Sequence, residues 1–176
     1  MKPKEELLDL SRLIKERNEV DRKIREITGR PASIGALGEH IAASIFSIEL
    51  AESKVTRSID GWFRGGTLDG MSVNIKWYGK LEGLLDLCFS DPPDYYIVLS
   101  GPRSAAVNVV GPRPLLIHHV HLFNPIELNA QLGRVKKGVA TSVRWELWQA
   151  AEVYPDSKNP LIALSSDQRE ALALFQ

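Results

Sequence analysis

The sequence predicts an α/β domain in which a mixed β-sheet is flanked by helices, with an extra helix at the N-terminus. Three features of the chain indicate this class. Helical patterns open and close the chain, short β-rich runs lie between them, and a turn rich in Gly and Asp joins two of these runs. Strands joined by so short a turn are antiparallel, so the sheet cannot be entirely parallel. We expect a single domain over residues 1–176.

Residues 4–28 predict an amphipathic helix, because they contain no Gly or Pro and carry acids early and bases late. The apolar residues Leu7, Leu10, Ile14, Ile24 and Ile27 are spaced for one face of this helix. We interpret residues 1–29 as a helical extension that packs on the domain, and homodimerisation through this helix is the alternative. Ser33 is then predicted to cap a second helix over residues 34–48.

A core is expected over residues 33–123, and a C-terminal helical part over residues 124–176. The predicted strands of the core cover residues 54–63, 71–78, 95–101 and 114–124. The pattern of the apolar segment 81–89 does not distinguish helix from strand. The predicted C-terminal helices cover residues 125–133, 144–155 and 165–175. The first of these has Pro at its first position and Gly at its end, which is typical of a short helix.

Composition and charge indicate a folded protein of the cytoplasm. The chain is 44% hydrophobic and 25% charged, and 22 basic residues balance 22 acidic ones. Zero net charge weighs against a protein that binds nucleic acid through overall positive charge, although a local basic patch can suffice. Cys88 is the only cysteine, so an intramolecular disulfide is excluded. No apolar run reaches the ~20 residues that a membrane helix needs, and the N-terminus does not resemble a signal peptide.

Polar side chains alternate with apolar ones along the predicted strand 71–78. Val73, Ile75 and Trp77 share one face and are expected in the core. Asn74, Lys76 and Tyr78 share the other face, which is expected to line a polar site. On the partner strand, Asp60 can lie near Asn74 and Lys76 across the hairpin. Glu39, near the start of the second helix, is expected to point at the same edge.

This set of side chains suits metal-assisted hydrolysis of a phosphodiester. Mg²⁺ prefers hard oxygen ligands and keeps several of its waters. Asp60 would be the main ligand, Glu39 would bind directly or through water, and Asn74 would assist. The backbone carbonyl of Ile75 can supply a further oxygen. Lys76 would orient the attacking water or stabilise the charged phosphorane.

The motifs "LGEHIAA", "SIDGWF" and "VNIKWY" resemble those of the PD-(D/E)xK nuclease superfamily, including small bacterial members of it. Glu39 matches the helix acid, Asp60 the first strand acid, and Asn74-Ile75-Lys76 the acid–x–Lys element. The resemblance covers roughly residues 33–123. It implies the restriction-endonuclease-like fold, whose core is a helix, three strands, a helix and a strand. It also implies a Mg²⁺ or Mn²⁺ cofactor and hydrolysis of DNA, in genome defence or repair.

One departure from the superfamily pattern leaves a second hypothesis open. Asn74 stands where the family has an acid, so the site lacks one negative charge. The alternative is therefore a catalytically inactive relative that binds nucleic acid or a protein partner. Each residue also has an ordinary explanation: Lys76 can guard a strand edge, Asp60 can belong to a turn, and Glu39 can favour a helix start. Their joint order favours a site.

Two further clusters are candidate sites. Arg134, Lys136 and Lys137 form the densest basic cluster and are predicted to contact DNA phosphates, with a solvated loop as the alternative. His119 and His121 share a strand face and raise the question of zinc. No cysteine or His-Glu-x-x-His pattern accompanies them, so we expect a structural or surface role.

Overall fold

The computed structural model describes residues 3–52, 58–88, 90–104, 114–134 and 138–176. Its helices are α1 Pro3–Thr28, α2 Ile34–Phe46, α3 Pro125–Leu132, α4 Trp145–Ala151 and α5 Ser166–Ala173. Its strands are β1 Ile48–Leu50, β2 Gly61–Phe63, β3 Ser72–Tyr78, β4 Leu84–Leu85, β5 Tyr95–Ser100, β6 His119–Phe123, β7 Thr141–Ser142 and β8 Glu152–Tyr154. These elements confirm the α/β class.

The main sheet is mixed, as predicted, and has six strands in the order β1-β2-β3-β5-β6-β8. All neighbouring strands in it are antiparallel except β3 and β5, which run parallel. The predicted hairpin is the β2–β3 pair, with Gly61 opposite Val73. Strands β4 and β7 form a separate two-stranded sheet. Because β3 and β5 are parallel, the chain between them must cross from one end of the sheet to the other.

The two faces of the sheet are covered by different elements. Helices α2 and α5 pack on the face that carries Val73 and Trp77 of β3. Gly38 of α2 allows this close approach, because a Cβ there would lie 3.1 Å from the Cβ of Trp77. The opposite face packs against segment 81–87, α3 and α4, and Trp148 of α4 is buried there. A functional site on the sheet must therefore use side chains that these covering elements leave partly exposed.

Helix α2 begins where predicted but ends earlier than the expected residue 48. Ser33 caps it, with its side-chain oxygen accepting from the N–H of Ala36 at 3.4 Å. Ser47 then adopts the left-handed conformation, with φ of 53°. This residue turns the chain so that Ile48 starts β1 opposite Phe63. The helix was predicted to extend to residue 48 because Ile48 continues its apolar spacing, but Ile48 is buried as the first residue of β1.

The C-terminal part contains the predicted helices but is not purely helical. Asn124 caps α3, which has Pro125 at its start and Gly133 at its end, and Ser165 with Gln168 forms a capping box on α5. The predicted helix 144–155 ends at Ala151, and β8 follows it at once. All three residues of β8 are buried, because they extend the main sheet beyond β6.

The remaining predictions agree with the structure in part. Helix α1 covers the predicted N-terminal helix. The predicted strand 54–63 is a strand at Gly61–Phe63, and residues 53–57 lie outside the described part of the chain. The predicted strand 114–124 is a strand only at His119–Phe123. Among the described helices, none combines the length and apolar character that are needed to cross a membrane.

Candidate functional site

Asp60 is fixed against β3 by two hydrogen bonds. It directly precedes β2, and its backbone N–H donates to the carbonyl of Val73 at 2.9 Å. Its side-chain Oδ2 accepts from the backbone N–H of Ile75 at 2.7 Å. The carboxylate therefore lies beside the stretch of β3 that contains Asn74. Ile75, expected to offer its carbonyl to a metal, contributes its N–H to this carboxylate.

Burial along β3 alternates in the predicted pattern. Val73, Ile75 and Trp77 are buried in the core beneath α2. Asn74, Lys76 and Tyr78 lie on the opposite face and are only partly buried. Their neighbours across the parallel pair with β5 are Tyr96, Val98 and Ser100. This face of the sheet therefore combines polar side chains of β3 with aromatic and aliphatic side chains of β5 that lie next to them.

The amide oxygen of Asn74 is a buried acceptor without a donor. Within the described part of the chain, no hydrogen bond reaches this Oδ1 atom, and solvent does not reach it either. Leaving a buried acceptor unpaired costs about 1–3 kcal/mol. Native proteins seldom keep such an atom unless a ligand, a water or an ion completes it. Asn74 therefore offers an oxygen ligand on the same face as Lys76.

Lys76 carries its ammonium group into a partly desolvated and acidic setting. Its Nζ lies 5.2 Å from the centre of the Tyr96 ring. Burial lowers the pKa of Lys76, and the nearby carboxylates of Asp86 and Asp60 oppose that change. A partly buried lysine that lies over an aromatic ring and senses the charges of two carboxylates is not a simple solvent-facing residue of an edge strand. Strand β3 is also internal to the sheet.

Asp86 joins this group, although sequence reasoning did not select it. It lies in segment 81–88, which crosses the face of the sheet after β3. The hydroxyl oxygen of Tyr78 accepts from the backbone N–H of Asp86 at 3.0 Å. The Asp86 Oδ1 atom accepts from the N–H of Ala140 at 2.7 Å. The available signal was the carboxylate of Asp86 in the middle of the apolar stretch "LLDLCF".

Tyr96 holds the same segment at a second point. Its hydroxyl oxygen accepts from the N–H of Cys88 at 3.0 Å and lies 3.1 Å from the Cys88 carbonyl, to which the hydroxyl donates. Burial raises the pKa of Tyr96, and the same cause raises the pKa of Tyr78. Both hydroxyls therefore stay protonated, and together they keep Asp86 over the face that carries Lys76.

Glu39 does not lie with these residues in the structure. It belongs to α2, which packs on the opposite face of the sheet. There it forms an ion pair with Arg30, and only 12% of its side chain is exposed. Because Gly38 is the residue that faces Trp77, the sheet separates Glu39 from the side of β3 that carries Lys76. The expectation that Glu39 points at the same edge is not met here, because the packing of α2 decides its direction.

A metal at this locus would depend on few acidic ligands. Among the described residues, no three His, Cys, Asp or Glu side chains are grouped so that they could hold an ion. The oxygen donors that the face offers are the carboxylates of Asp60 and Asp86 and the amide oxygen of Asn74. Such a set suits a hard cation that keeps several waters, and it does not suit zinc.

The other candidate residues lie apart from this face or outside the described chain. Arg134 is exposed in the turn after α3, and Lys136 and Lys137 lie outside the described residues. The rings of His119 and His121 stack with their centres 6.0 Å apart. The Nδ1 atom of His119 lies 3.3 Å from Oε1 of Glu152. His121 is buried, which is the main cause that lowers its pKa to about 3. Both rings are therefore packed within the sheet, and a structural role for them stays our interpretation.

Comparison with known proteins gives no further guide to this site. No protein-family model, curated protein or solved structure matches the chain. The functional assignment therefore depends on the geometry of the face that carries Asp60, Asn74, Lys76 and Asp86.

Proposed function

We propose that this chain is a metal-dependent nuclease-like domain of restriction-endonuclease-like fold that hydrolyses phosphodiester bonds in DNA. One observation carries the proposal. The carboxylate of Asp60 is tied to the N–H of Ile75, the residue of β3 that lies between Asn74 and Lys76, and the amide oxygen of Asn74 has no hydrogen-bond partner among the described residues. A pathway in genome defence or repair would follow from such an activity.

The order of elements supports the proposed fold. Helix α2 is followed by β1, β2 and β3, which are antiparallel neighbours, and β5 then lies parallel to β3. The superfamily core has a helix, three strands, a helix and a strand. The departure lies in the crossover, where the described residues contain β4 and no helix between β3 and β5. The candidate residues lie on β3 and just before β2, outside that crossover.

The donor set fits Mg²⁺ or Mn²⁺. The carboxylate of Asp60 accepts from the N–H of Ile75 through Oδ2, and a carboxylate is the kind of hard oxygen ligand that these ions prefer. The Oδ1 of Asn74, which has no hydrogen-bond partner among the described residues, is an acceptor that such an ion or one of its waters would complete. Asp86 can contribute directly or through water. When bound, the ion would lower the pKa of a coordinated water and neutralise charge on the phosphate.

The chain's own residues would act on the phosphate and on the water. The reaction joins a water oxygen to phosphorus and breaks one bond between phosphorus and a sugar oxygen, giving a phosphate monoester and a hydroxyl. Lys76 would orient the water and stabilise the negative charge that grows on the phosphate. Its partial burial strengthens that interaction, because water screens it less. Tyr78 and Tyr96 keep Asp86 close to Lys76.

A catalytically inactive protein that binds DNA or a protein partner is the second candidate. Asn74 favours it, since an amide carries no charge and holds a divalent cation more weakly than a carboxylate does. The zero net charge also provides little general attraction for DNA. The basic cluster at Arg134, Lys136 and Lys137 would then supply the phosphate contacts. Binding and cleavage must therefore be measured separately.

Cleavage of supercoiled plasmid DNA by the full chain tests the proposal, with Mg²⁺ and Mn²⁺ in separate reactions. Asp60→Asn keeps an acceptor for the Ile75 N–H and removes the charge, so we expect nicking to fall by at least about a hundredfold. Lys76→Met should have a similar effect. Asp69→Asn is the matched control, because Asp69 accepts from the N–H of Gly65 in the exposed hairpin turn. That variant should cut as the parent does.

Two results would count against the active nuclease. If the parent binds plasmid DNA but cuts it with neither ion, the inactive candidate is correct. If cutting persists unchanged in both Asp60→Asn and Lys76→Met, the activity comes from another site or from a contaminating enzyme.

A further inference from the structure

Helix α1 exposes most of its large apolar side chains. They are between 49% and 78% exposed, and they are Leu7, Leu8, Leu10, Leu13, Ile14, Val20 and Ile27. The helix has 26 residues and is therefore about 39 Å long. Amphipathic helices in proteins gain most of their stability by packing this kind of face. Within the described chain, no element packs along the N-terminal half of α1.

The apolar surface of α1 continues into a groove on the body of the domain. The groove has a volume of about 440 Å³ and lies between the end of α1, α2 and α5. Its apolar lining includes Ile24, Ile27, Leu37, Ile41, Leu174 and Phe175. The C-terminal half of α1 thus forms one wall of the groove, while the N-terminal half extends away from it.

The two ends of α1 carry opposite charge. Glu5 and Glu6 lie in the first turn, and Asp9 follows them. Arg25 lies in the last turn, and Lys23 precedes it. Two such helices side by side attract each other when they are antiparallel, because each acidic end then meets a basic end. A parallel pair would place like charges together.

We propose that a second copy of this chain covers this surface through an antiparallel pair of α1 helices. The N-terminal apolar stripe of each copy, formed by Leu7, Leu10 and Ile14, lies in the groove of its partner. A two-fold axis fills both grooves at once with the same contacts. The occupant is another α1 because its stripe, its length and the charges of its ends match those of the surface. This assembly is independent of the proposed nuclease activity.

The mass of the full chain in solution, measured by light scattering after gel filtration, tests the pairing. The parent should have twice the chain mass of 19.6 kDa. Leu10→Glu places a charge in the stripe and should give a monomer. Leu8→Glu is the matched control, because successive helix positions differ by about 100° and Leu8 faces away from the stripe. It is 60% exposed against 52% for Leu10, and it should remain a dimer.

The proposal is overturned if the parent is a monomer from micromolar to hundreds of micromolar concentration. It is also overturned if the two leucine variants have the same mass. Circular dichroism checks that both variants keep their helix content, so a change in mass reports the interface. No DNA is present, so the result does not depend on catalysis.

A charge exchange tests the antiparallel direction. Glu6 directly precedes Leu7 and Lys23 directly precedes Ile24, so both flank the stripe on the same edge at opposite ends. Glu6→Lys changes two equivalent pairs in the symmetric dimer and should weaken it by up to about 25-fold, which is about fivefold for each exposed ion pair. Adding Lys23→Glu should restore the parent affinity. A double variant that binds no more tightly than Glu6→Lys contradicts the antiparallel arrangement.

Discussion

Under the proposed function, Asn74 is the residue that decides between an active nuclease and a catalytically inactive protein. Its amide oxygen is buried and has no hydrogen-bond partner among the described residues, and the next residue of β3, Ile75, donates its N–H to Asp60. It nevertheless lacks the charge that a divalent cation gains from an acid. The affinity for the ion should therefore be low in the parent and should respond strongly to a charge at this position.

Asn74→Asp should bind Mg²⁺ or Mn²⁺ at least about tenfold more tightly than the parent, because one more negative charge contacts the ion. Isothermal titration of the purified chain with each ion measures this. Asp69→Asn, which changes a carboxylate in the hairpin turn, should leave the affinity unchanged. Equal affinities in the parent and Asn74→Asp would remove Asn74 from the ligand set.

His121 makes the stability of the domain depend on pH. Burial, aided by the neighbouring His119, lowers its pKa from 6.5 to about 3. Between these values the unfolded chain binds a proton that the folded chain does not, so stability falls as the pH drops from 6.5 towards 3. His121→Phe can keep the stacking against Phe123 and Trp148 and removes the titrating group.

We expect urea unfolding to show a smaller loss of stability for His121→Phe than for the parent between neutral pH and about pH 4, by a few kcal/mol. Each variant is compared with itself at neutral pH, which cancels the effect of the new ring on packing. Parallel curves for the two proteins across this range would show that His121 is not the buried neutral group described here.

The positions of Asp60, Asn74 and Lys76 could be predicted from the sequence, because they depend on one strand and one hairpin. The alternation in "MSVNIKWY" and the short hairpin fix the face of Lys76 and the nearness of Asp60. Asp86 could not be predicted, because the hydroxyls of Tyr78 and Tyr96 determine where its segment crosses the sheet. Glu39 could not be placed correctly, because the packing of α2 sets its direction.

The β1–β2 pair positions Asp60, and it allows no side chain at the next residue. A Cβ on Gly61 would lie 2.4 Å from the carbonyl oxygen of Glu49 and 2.9 Å from a methyl group of Ile48. The first atom belongs to the backbone of β1, so it cannot move unless the two strands separate. Gly61 is therefore required by the close pairing of this edge of the sheet.

Gly61→Ala should destabilise the domain by about 1–3 kcal/mol or more, the usual range for overpacking. Gly35→Ala is the control within α2, where an added Cβ meets nothing within 4 Å. That variant should be neutral or stabilised by up to about 1 kcal/mol. Chemical denaturation compares both with the parent, and a Gly61→Ala protein of parental stability would contradict the pairing of β1 with β2.

The ends of the elements were harder to predict than their existence. The apolar period of α2 runs into Ile48, and only the left-handed Ser47 ends the helix before it. Strand β8 follows α4 without Gly or Pro between them, so no turn signal marks the change. In both cases residues whose local apolar spacing predicts a helix form a strand, because they pair with a neighbouring strand of the sheet.

The complete sheet creates the site by bringing β3 and β5 together in parallel. This pairing places Tyr96 beside Asn74 and requires the chain to cross the sheet between the two strands. The crossing segment carries Asp86 to Lys76. The α/β class and the mixed sheet could be predicted from the pattern of elements. The strand order β3-β5-β6-β8 could not, because it depends on contacts between residues that are distant in the sequence. The site is therefore a product of tertiary structure as much as of its motif.

The most direct test of the proposed centre is the anomalous diffraction of Mn²⁺ in crystals of the parent soaked with that ion. We expect a peak at about 2.0–2.3 Å from an oxygen of Asp60 and from Oδ1 of Asn74, with Lys76 on the same face. The Asp60→Asn crystal should lose this peak under the same soak. A peak bound only elsewhere, or none near Asp60 and Asn74 at saturating Mn²⁺, would contradict the metal-dependent site.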